Sequence, residues 1–268
     1  MTIPVSAEES LRRDCVFSIC TLVTDTIQYQ QMVASFQEHG FDGPDCEYLF
    51  LDNSATNRYD AFSGINFLLR AAKGRFIIVC HQDILLFDDK DTLLRALDNL
   101  SKLDSAWGVL GNAGFTTNHE LAIRITDPYG QDKKQGDLPV EVTGLDENFL
   151  LINAECRLSL SNKVTGFHLY GIDIYLVANM LGYTAYVIDF HVHHLGGRSV
   201  STRNQTIRTE LAASRFRLAN TYTKKMKSRW VGNTSAQFFL TGSPFLNHVV
   251  NSKIAKKVLK RLKLFRAS

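Results

Sequence analysis

The sequence is short of several things that would classify it at once. Its five cysteines, Cys15, Cys20, Cys46, Cys80 and Cys156, are odd in number, scattered and without CxxC spacing. That excludes a disulfide framework and a cysteine zinc site, and fits a reduced, cytoplasmic chain. No apolar run approaches the roughly 20 residues that a membrane-spanning helix needs. The opening MTIPVSAEESLRR has no apolar h-region, so no signal peptide is expected. Neither a GxGxxG after the first apolar run nor a P-loop GxxxxGK occurs, so a bound nucleotide would rest on side chains instead of a glycine cradle. Acid is almost missing from one segment. Residues 198–268 hold 16 Lys and Arg against the single acid Glu210, a net +15, while residues 1–197 carry −12. The near-neutral total of +3 hides this asymmetry, and basic tails commonly meet anionic surfaces.

What is present is ordinary for a folded protein: 268 residues, 45% hydrophobic and 21% charged. Strand and helix patterns alternate. The run Val16 to Val23 reads as a strand buried on both faces. Thr24 or Asp25 then caps a helix that carries Met32, Val33 and Phe36 and stops at Gly40. Tyr48 to Leu51 is a second strand ending in Asp52-Asn53-Ser54. A helix over 60–73 is expected to close at Gly74 as a left-handed terminator. Phe76 to Cys80 is a third strand running into His81-Gln82-Asp83. A helix over 91–103, strands over 107–111, 149–152 and 185–189, and a helix over 171–181 ending at Gly182 follow. The polar stretch 116–140 reads as a loop or hairpin, and the pattern beyond 198 as helical and basic. The expected class is α/β, with a mostly parallel sheet flanked by helices.

Open sheets of this kind collect ligands beyond the carboxyl ends of their strands. Three polar clusters fall there: Thr24-Asp25, Asp52-Asn53-Ser54 and His81-Gln82-Asp83. Asp52 could hold a ribose or base edge, or the cluster could be a turn stabilised by its own side chains. Asp83, ending a strongly apolar strand, could bind a divalent cation that neutralises a diphosphate, or could be an exposed strand end. A second metal candidate is the histidine group at 191–194. On a strand, His191 and His193 share one face and His194 points opposite, so the three cannot all meet one ion.

Taken in order, several pieces resemble the nucleotide-binding half of bacterial glycosyltransferase family 2 and its GT-A-fold relatives. They are the strand ending Leu51-Asp52-Asn53-Ser54, Gly64-Ile65-Asn66, Ala72-Lys73-Gly74-Arg75-Phe76-Ile77-Ile78 and His81-Gln82-Asp83. The match continues through Gly166-Phe167-His168-Leu169-Tyr170-Gly171-Ile172-Asp173, Leu181-Gly182-Tyr183 and His193-His194-Leu195-Gly196-Gly197, and covers roughly residues 15–200. The chain looks especially like the branch with HQD in place of DxD. The resemblance implies a GT-A domain over 15–197, split into a donor-binding half (15–115) and an acceptor half (116–197). A lead-in (1–14) precedes it and a basic helical extension (198–268) follows. It places Asp52, Asn53, Ser54 and Asn66 at the nucleotide-sugar donor, and Thr24 and Gln82 of the neighbouring polar clusters are counted with them. One of Arg198, Arg203 and Arg208, which follow the HHLGG turn closely, could reach the diphosphate, Arg198 being the first choice. Asp83 and His193 would hold Mn²⁺ or Mg²⁺. Two departures stand out: His81 replaces the first acid of DxD, and Tyr170-Gly171-Ile172-Asp173 keeps only the last acid of the ED-x-D base motif. Asp173 is the expected base, with Asp146 or Glu147 in reserve.

The implied function is inverting transfer of a sugar to a glycan or glycolipid acceptor in bacterial surface polysaccharide synthesis. A basic stripe with Ile254, Val258, Leu262 and Phe265 at helical spacing could rest on the anionic inner face of a membrane or pack on the domain. Nucleic acid is not expected as a partner. The competing readings are a nucleotidyltransferase acting on a sugar phosphate and a non-catalytic sugar- or membrane-binding module.

Overall fold

The computed structural model describes residues 15–196, 205–225, 228–232, 237–252 and 254–255. The chain begins with β1 (Cys15–Val23), α1 (Thr26–Glu38), β2 (Cys46–Asp52), α2 (Ala61–Ala71) and β3 (Gly74–Cys80). A short β4 (Ile84–Leu86) leads to α3 (Lys90–Leu103), β5 (Trp107–Gly111) and β6 (Ala113–Phe115). The polar stretch forms a hairpin of β7 (Leu121–Thr126) and β8 (Asp132–Gln135), followed by β9 (Val140–Glu141) and β10 (Phe149–Asn153). Then come α4 (Tyr170–Met180), β11 (Thr184–Val187), β12 (Val192–His194) and α5 (Gln205–Lys225). The last described elements are β13 (Arg229–Gly232), β14 (Gln237–Leu240) and α6 (Pro244–Asn251).

Seven strands form the main sheet in the order β2-β1-β3-β10-β5-β11-β9. Only β10 and β9 run against the rest, so the expected α/β fold with a mostly parallel sheet is what the chain adopts. Alternation along the strands sorts side chains to two faces. Phe17, Ile19, Phe76, Ile78, Leu110 and Leu151 join Met32, Phe36, Leu93, Leu97 and Leu100 of α1 and α3 in one core. Residues between them on the strands, such as Cys20, Ile77, Val79 and Leu150, are buried outside that cluster, as are Phe62, Ile65 and Leu68 of α2. A second sheet, β4-β12-β7-β6 with β8 beside β7, is built from segments that leave the carboxyl ends of the main strands. It adds Ile84, Leu86, Ile125 and Val192 to the same core. Beyond the hairpin alternative for 116–140, which is β7 and β8, the sequence pattern does not mark this layer, because its strands are three to six residues long.

Helix ends follow local chemistry. Asp25, not Thr24, caps α1, its Oδ1 accepting from the Ile27 and Gln28 amides. Gly40 (φ 87°) and Gly182 (φ 89°) adopt the left-handed conformation just past α1 and α4. Gly74 does not. Its place in β3 is set by close approach, since a Cβ there would lie 2.4 Å from the Ser18 amide nitrogen. The Gly74 amide donates to Ser18 Oγ at 2.7 Å. Glu47 ties the same corner, accepting from Ser18 Oγ and from the Lys73 amide.

The chain divides into two compact units, one up to Arg215 and one from Phe216. The division falls inside α5 instead of at 197/198, and Glu210 in the first part of α5 lies 4.0 Å from His168 of the first unit. The second unit is not wholly helical: β13 and β14 pair antiparallel before α6. Of the expected stripe Ile254, Val258, Leu262 and Phe265, Ile254 is exposed and the other three lie outside the described residues, as do Arg198, Arg203 and the side chain of Arg208.

Because β1 and β3 meet so closely at residue 74, Gly74→Ala is expected to lower stability by roughly 1–3 kcal/mol through overpacking. Urea unfolding measures this, and an unmoved midpoint would contradict the close approach.

Candidate active site at the carboxyl edge of the sheet

β3 delivers His81-Gln82-Asp83 directly to the carboxyl edge, between the ends of β1 and β10. The His81 amide donates to the Asn148 carbonyl at 3.0 Å, which fixes the loop against the start of β10. Gln82 fixes it on the other side. Its Oε1 accepts from the Thr24 and Asp25 amides at 2.7 and 2.9 Å, and its Nε2 donates to Thr24 Oγ1 at 3.0 Å and Gln28 Oε1 at 3.2 Å. Both ends of the Gln82 amide are therefore engaged in joining the first and third polar clusters.

Asp83 keeps only 6% of its surface exposed. Its Oδ2 lies 3.4 Å from His194 Nε2, and its Oδ1 lies 4.0 Å from His81 Nδ1. One ligand atom from each of His81, Asp83 and His194 falls within 4.8 Å of the others, close enough to share one ion. Burial alone would raise the Asp83 carboxyl. The hydrogen bond from His194 and the nearness of both imidazoles outweigh it and hold Asp83 below the usual carboxylate range. His81 is open on one side, yet the protein crowded around its ring pushes it down to about 4, against the pull of Asp83. An ionised carboxylate and a neutral imidazole are the protonation states that metal ligation needs. By donor chemistry these three residues fit a divalent cation.

The three histidines of the 191–194 run have separate fates. His191 Nδ1 lies 2.8 Å from Arg124 and its Nε2 2.9 Å from Thr126 Oγ1, so it belongs to a polar network with Asp132 and Asp189. His193, the expected metal ligand, pairs along β12 with Leu85 and Thr126 and stacks on Phe87 at 5.8 Å. The two share a face, and the opposite one carries His194 to Asp83. The position expected of His193 is thus taken by His194, because one residue along a strand reverses the side chain.

A second group of acids stands beside the cluster. The segment leading into β10 is held against β6 by a Gly114–Leu145 bridge and by the Asp146 amide donating to the Ala113 carbonyl. Helix α4 abuts it through Gly171, where a Cβ would lie 2.2 Å from the Leu145 carbonyl oxygen. No side chain caps α4, and Leu169 before it is left-handed (φ 70°). The Leu169 amide instead donates to the Glu147 carboxylate, and Tyr170 Oη donates to the Glu147 carbonyl at 2.9 Å. Burial and the neighbouring Asp146 push Glu147 up to about 8. Asp146 is exposed at the rim, and its carboxyl is also raised by the crowding around it, with His194 acting the other way.

The remaining expected residues are placed as follows. Asp173 has no exposed surface and accepts from the Ser161 amide at 2.7 Å, so its carboxylate braces the loop before α4 and does not face the open edge. Asn53 is buried and staples its own loop, donating to the Tyr59 carbonyl and accepting from the Tyr59 amide. Asn66 clamps residue 160, donating to the Leu160 carbonyl at 2.9 Å and accepting from its amide at 2.7 Å. It lines a pocket with Ile77, Ile152 and Arg157, back from the carboxyl edge. Asp52 and Ser54 are exposed at the end of β2, where hydrogen bonds from the Ser54 side chain and then its amide hold Asp52 below its ordinary value. His194 belongs to the histidine group singled out in the sequence, although the ligand expected from that group was His193; Tyr170 was given no role. Strand alternation already sets His194 on the face opposite His193, but which face meets Asp83 depends on the pairing of β12 with β4, and nothing in the pattern marks Tyr170.

The chain is thus an α/β protein with a mostly parallel sheet, whose carboxyl edge carries a His-Asp-His cluster beside a pair of acids. The chain belongs to the family of a Fuscovulum blasticum protein named ATP synthase subunits region ORF 6, to which it is 37% identical over 218 residues. That alignment covers 78% of this chain and 87% of the relative, whose name states no activity. No family model matches the chain. Among solved structures, it is similar to S. aureus TarS in complex with UDP-GlcNAc (16% identity, TM-score 0.47, 70% of this chain and 61% of that one). GalNAc-T7 with UDP, GalNAc and Mn²⁺ is similar at 10% identity and TM-score 0.47 over 67% of this chain and 44% of that one. Drosophila β1,4-galactosyltransferase 7 with manganese, UDP-Gal and xylobiose is similar at 17% identity and TM-score 0.39 over 72% and 79%.

A carboxyl raised in the folded state costs stability as pH climbs from its unfolded pKa, because only the unfolded chain then releases the proton. For Glu147 that window runs from 4.5 to about 8. In the chelated protein, Glu147→Gln is expected to flatten the loss of stability across this window, as measured by thermal melts at stepped pH.

Proposed function

We propose that the protein is an inverting GT-A-type glycosyltransferase that moves a sugar from a nucleotide-sugar donor to a glycan or glycolipid acceptor. The observation that carries this reading is the His81-Asp83-His194 cluster at the carboxyl edge, with the Asp146-Glu147 pair beside it. A chain without a glycine cradle needs another device to hold a diphosphate, and a cation on this cluster would provide it. The bound ion would act as a Lewis acid on the leaving diphosphate. Asp83, His81 and His194 are the residues that would hold it. Thr24, Asp52 and Ser54 line the same edge and would contact the donor; Arg198 is proposed to reach the diphosphate from outside the described residues.

Transfer needs a base for the acceptor hydroxyl. Asp173 is too enclosed to serve, so the role passes to Asp146, which is open to solvent and whose raised pKa makes it a stronger base than an ordinary aspartate. It takes the hydroxyl proton as the new O–C bond forms at the anomeric carbon and the bond to the diphosphate oxygen breaks. Glu147 keeps the Asp146 segment seated against α4. Bacterial surface polysaccharide is the proposed setting, since an acidic catalytic unit followed by a +15 segment suits an acceptor near an anionic surface. The exposed Phe245, Leu246 and Val249 of α6 add apolar contact to that charge. No helix among the described residues is long and apolar enough to cross a membrane.

The central test is product analysis with a panel of UDP- and other nucleotide sugars. Release of nucleoside diphosphate with excess Mn²⁺, its loss in chelator, and a drop of at least about 100-fold in turnover for Asp146→Asn are expected. Pyrophosphate release from a nucleoside triphosphate would instead identify a nucleotidyltransferase. Removing residues 241–268 is expected to abolish co-sedimentation with anionic vesicles while leaving neutral vesicles unbound throughout. Unchanged sedimentation would remove the membrane from the reading.

A further inference from the structure

The contact between His81 and Tyr170 determines which imidazole nitrogen is available. Tyr170 has one hydroxyl proton, and it is donated to the Glu147 carbonyl oxygen, which can only accept. His81 Nε2 lies 3.0 Å from the same hydroxyl oxygen. With the phenolic proton already committed, that contact is a hydrogen bond only if Nε2 carries the hydrogen. A neutral imidazole has a single N–H, so Nδ1 holds the free lone pair. Nδ1 is the nitrogen that faces Asp83. The opposite tautomer would leave Nε2 and the Tyr170 oxygen as two acceptors facing each other without a hydrogen, an arrangement that buried groups avoid.

Tyr170 is well fixed for this purpose. It is 5% exposed, opens α4, and adjoins Gly171, whose close approach locks the helix onto the segment carrying Glu147. Burial keeps its phenol protonated far above neutral pH. Its hydroxyl therefore acts as a permanent relay between the Glu147 backbone and the His81 ring.

We propose that Tyr170 is a positioning residue that fixes His81 as an Nδ1 ligand, making the edge cluster a two-imidazole, one-carboxylate site selective for a transition-metal dication over Mg²⁺. This rests on the reading of the cluster as a metal site and adds the ligand atom and the class of ion. Imidazole nitrogens suit first-row transition ions, whereas Mg²⁺ seeks oxygen donors in octahedral array. Partners of a ligating imidazole's second nitrogen commonly govern affinity by 10- to 100-fold.

The first readout is the tautomer in metal-free protein. Long-range ¹H–¹⁵N spectra of ¹⁵N-histidine protein at pH 7.5, with His81 assigned through His81→Gln, should show the Nε2–H pattern. Tyr170→Phe should convert it to a mixture or to Nδ1–H. The second readout is calorimetric titration with Mn²⁺ and with Mg²⁺. Wild type should bind Mn²⁺ at least about tenfold more tightly than Mg²⁺, and Tyr170→Phe should weaken Mn²⁺ by about 10- to 100-fold. An Nδ1–H pattern in wild type, or equal affinity for the two ions, overturns the proposal. Should Tyr170→Phe not fold, the wild-type spectrum and the Mn²⁺/Mg²⁺ ratio decide alone. If neither ion binds wild type at all, the metal-site reading itself has failed, a result distinct from an Nε2–H ring that binds both ions equally.

Discussion

A nearly buried carboxylate must have its charge answered, and Asp83 is the group around which the carboxyl edge is arranged. An isolated charge in that position would be costly or would neutralise itself by taking up a proton. The chain answers it with His194, delivered by β12 from more than a hundred residues away and 3.4 Å from the carboxylate, and sets the His81 ring on the other side. This explains why the second sheet exists where it does. β12 must pair with β4, immediately after Asp83, for His194 to arrive; Leu195 then donates its amide to the Asp83 carbonyl at 2.9 Å. The small sheet is less a separate layer than the means of bringing a distant histidine to a fixed carboxylate.

Much of the fold was legible in the sequence because its signals are local. Apolar runs of five or more residues, such as Phe76 to Cys80, marked the main strands, and Gly40 and Gly182 marked helix ends. Gly74 was read as another helix end, although its role is close packing between strands, which depends on Ser18 across the sheet. The site was legible as a place more than as a set of roles. His81-Gln82-Asp83 and Asp52-Asn53-Ser54 do lie at the carboxyl edge. Within them Asn53 braces a loop and Gln82 joins two loops, while Asn66, expected beside them, clamps residue 160 elsewhere. A polar side chain looks the same in sequence whether it meets a ligand or a neighbouring backbone amide.

Asp173 and Asp146 show the same limit from the other side. The first carries a motif position and is enclosed; the second carries no motif and is open beside His194. What separates them is the packing of α4 against the segment before β10: Gly171 lets the helix close onto Leu145 and Asp173 is enclosed in its first turn. No periodicity reports such a contact. The acidic pair also has an electrostatic logic of its own. Glu147 lies next to Asp146 in sequence and within its field, so burial and the Asp146 charge together make Glu147 the harder of the two to ionise.

The four hydrogen bonds of the Gln82 side chain have a thermodynamic side. They weld the end of β1 to the loop that carries Asp83, so the two are set in their final relation when the chain folds. A ligand arriving there meets a surface whose ordering entropy has already been spent, and its binding free energy need not be diverted into assembling the site. The signature of such rigidity is a small change in backbone order on binding, with affinity that tracks contacts rather than loop closure.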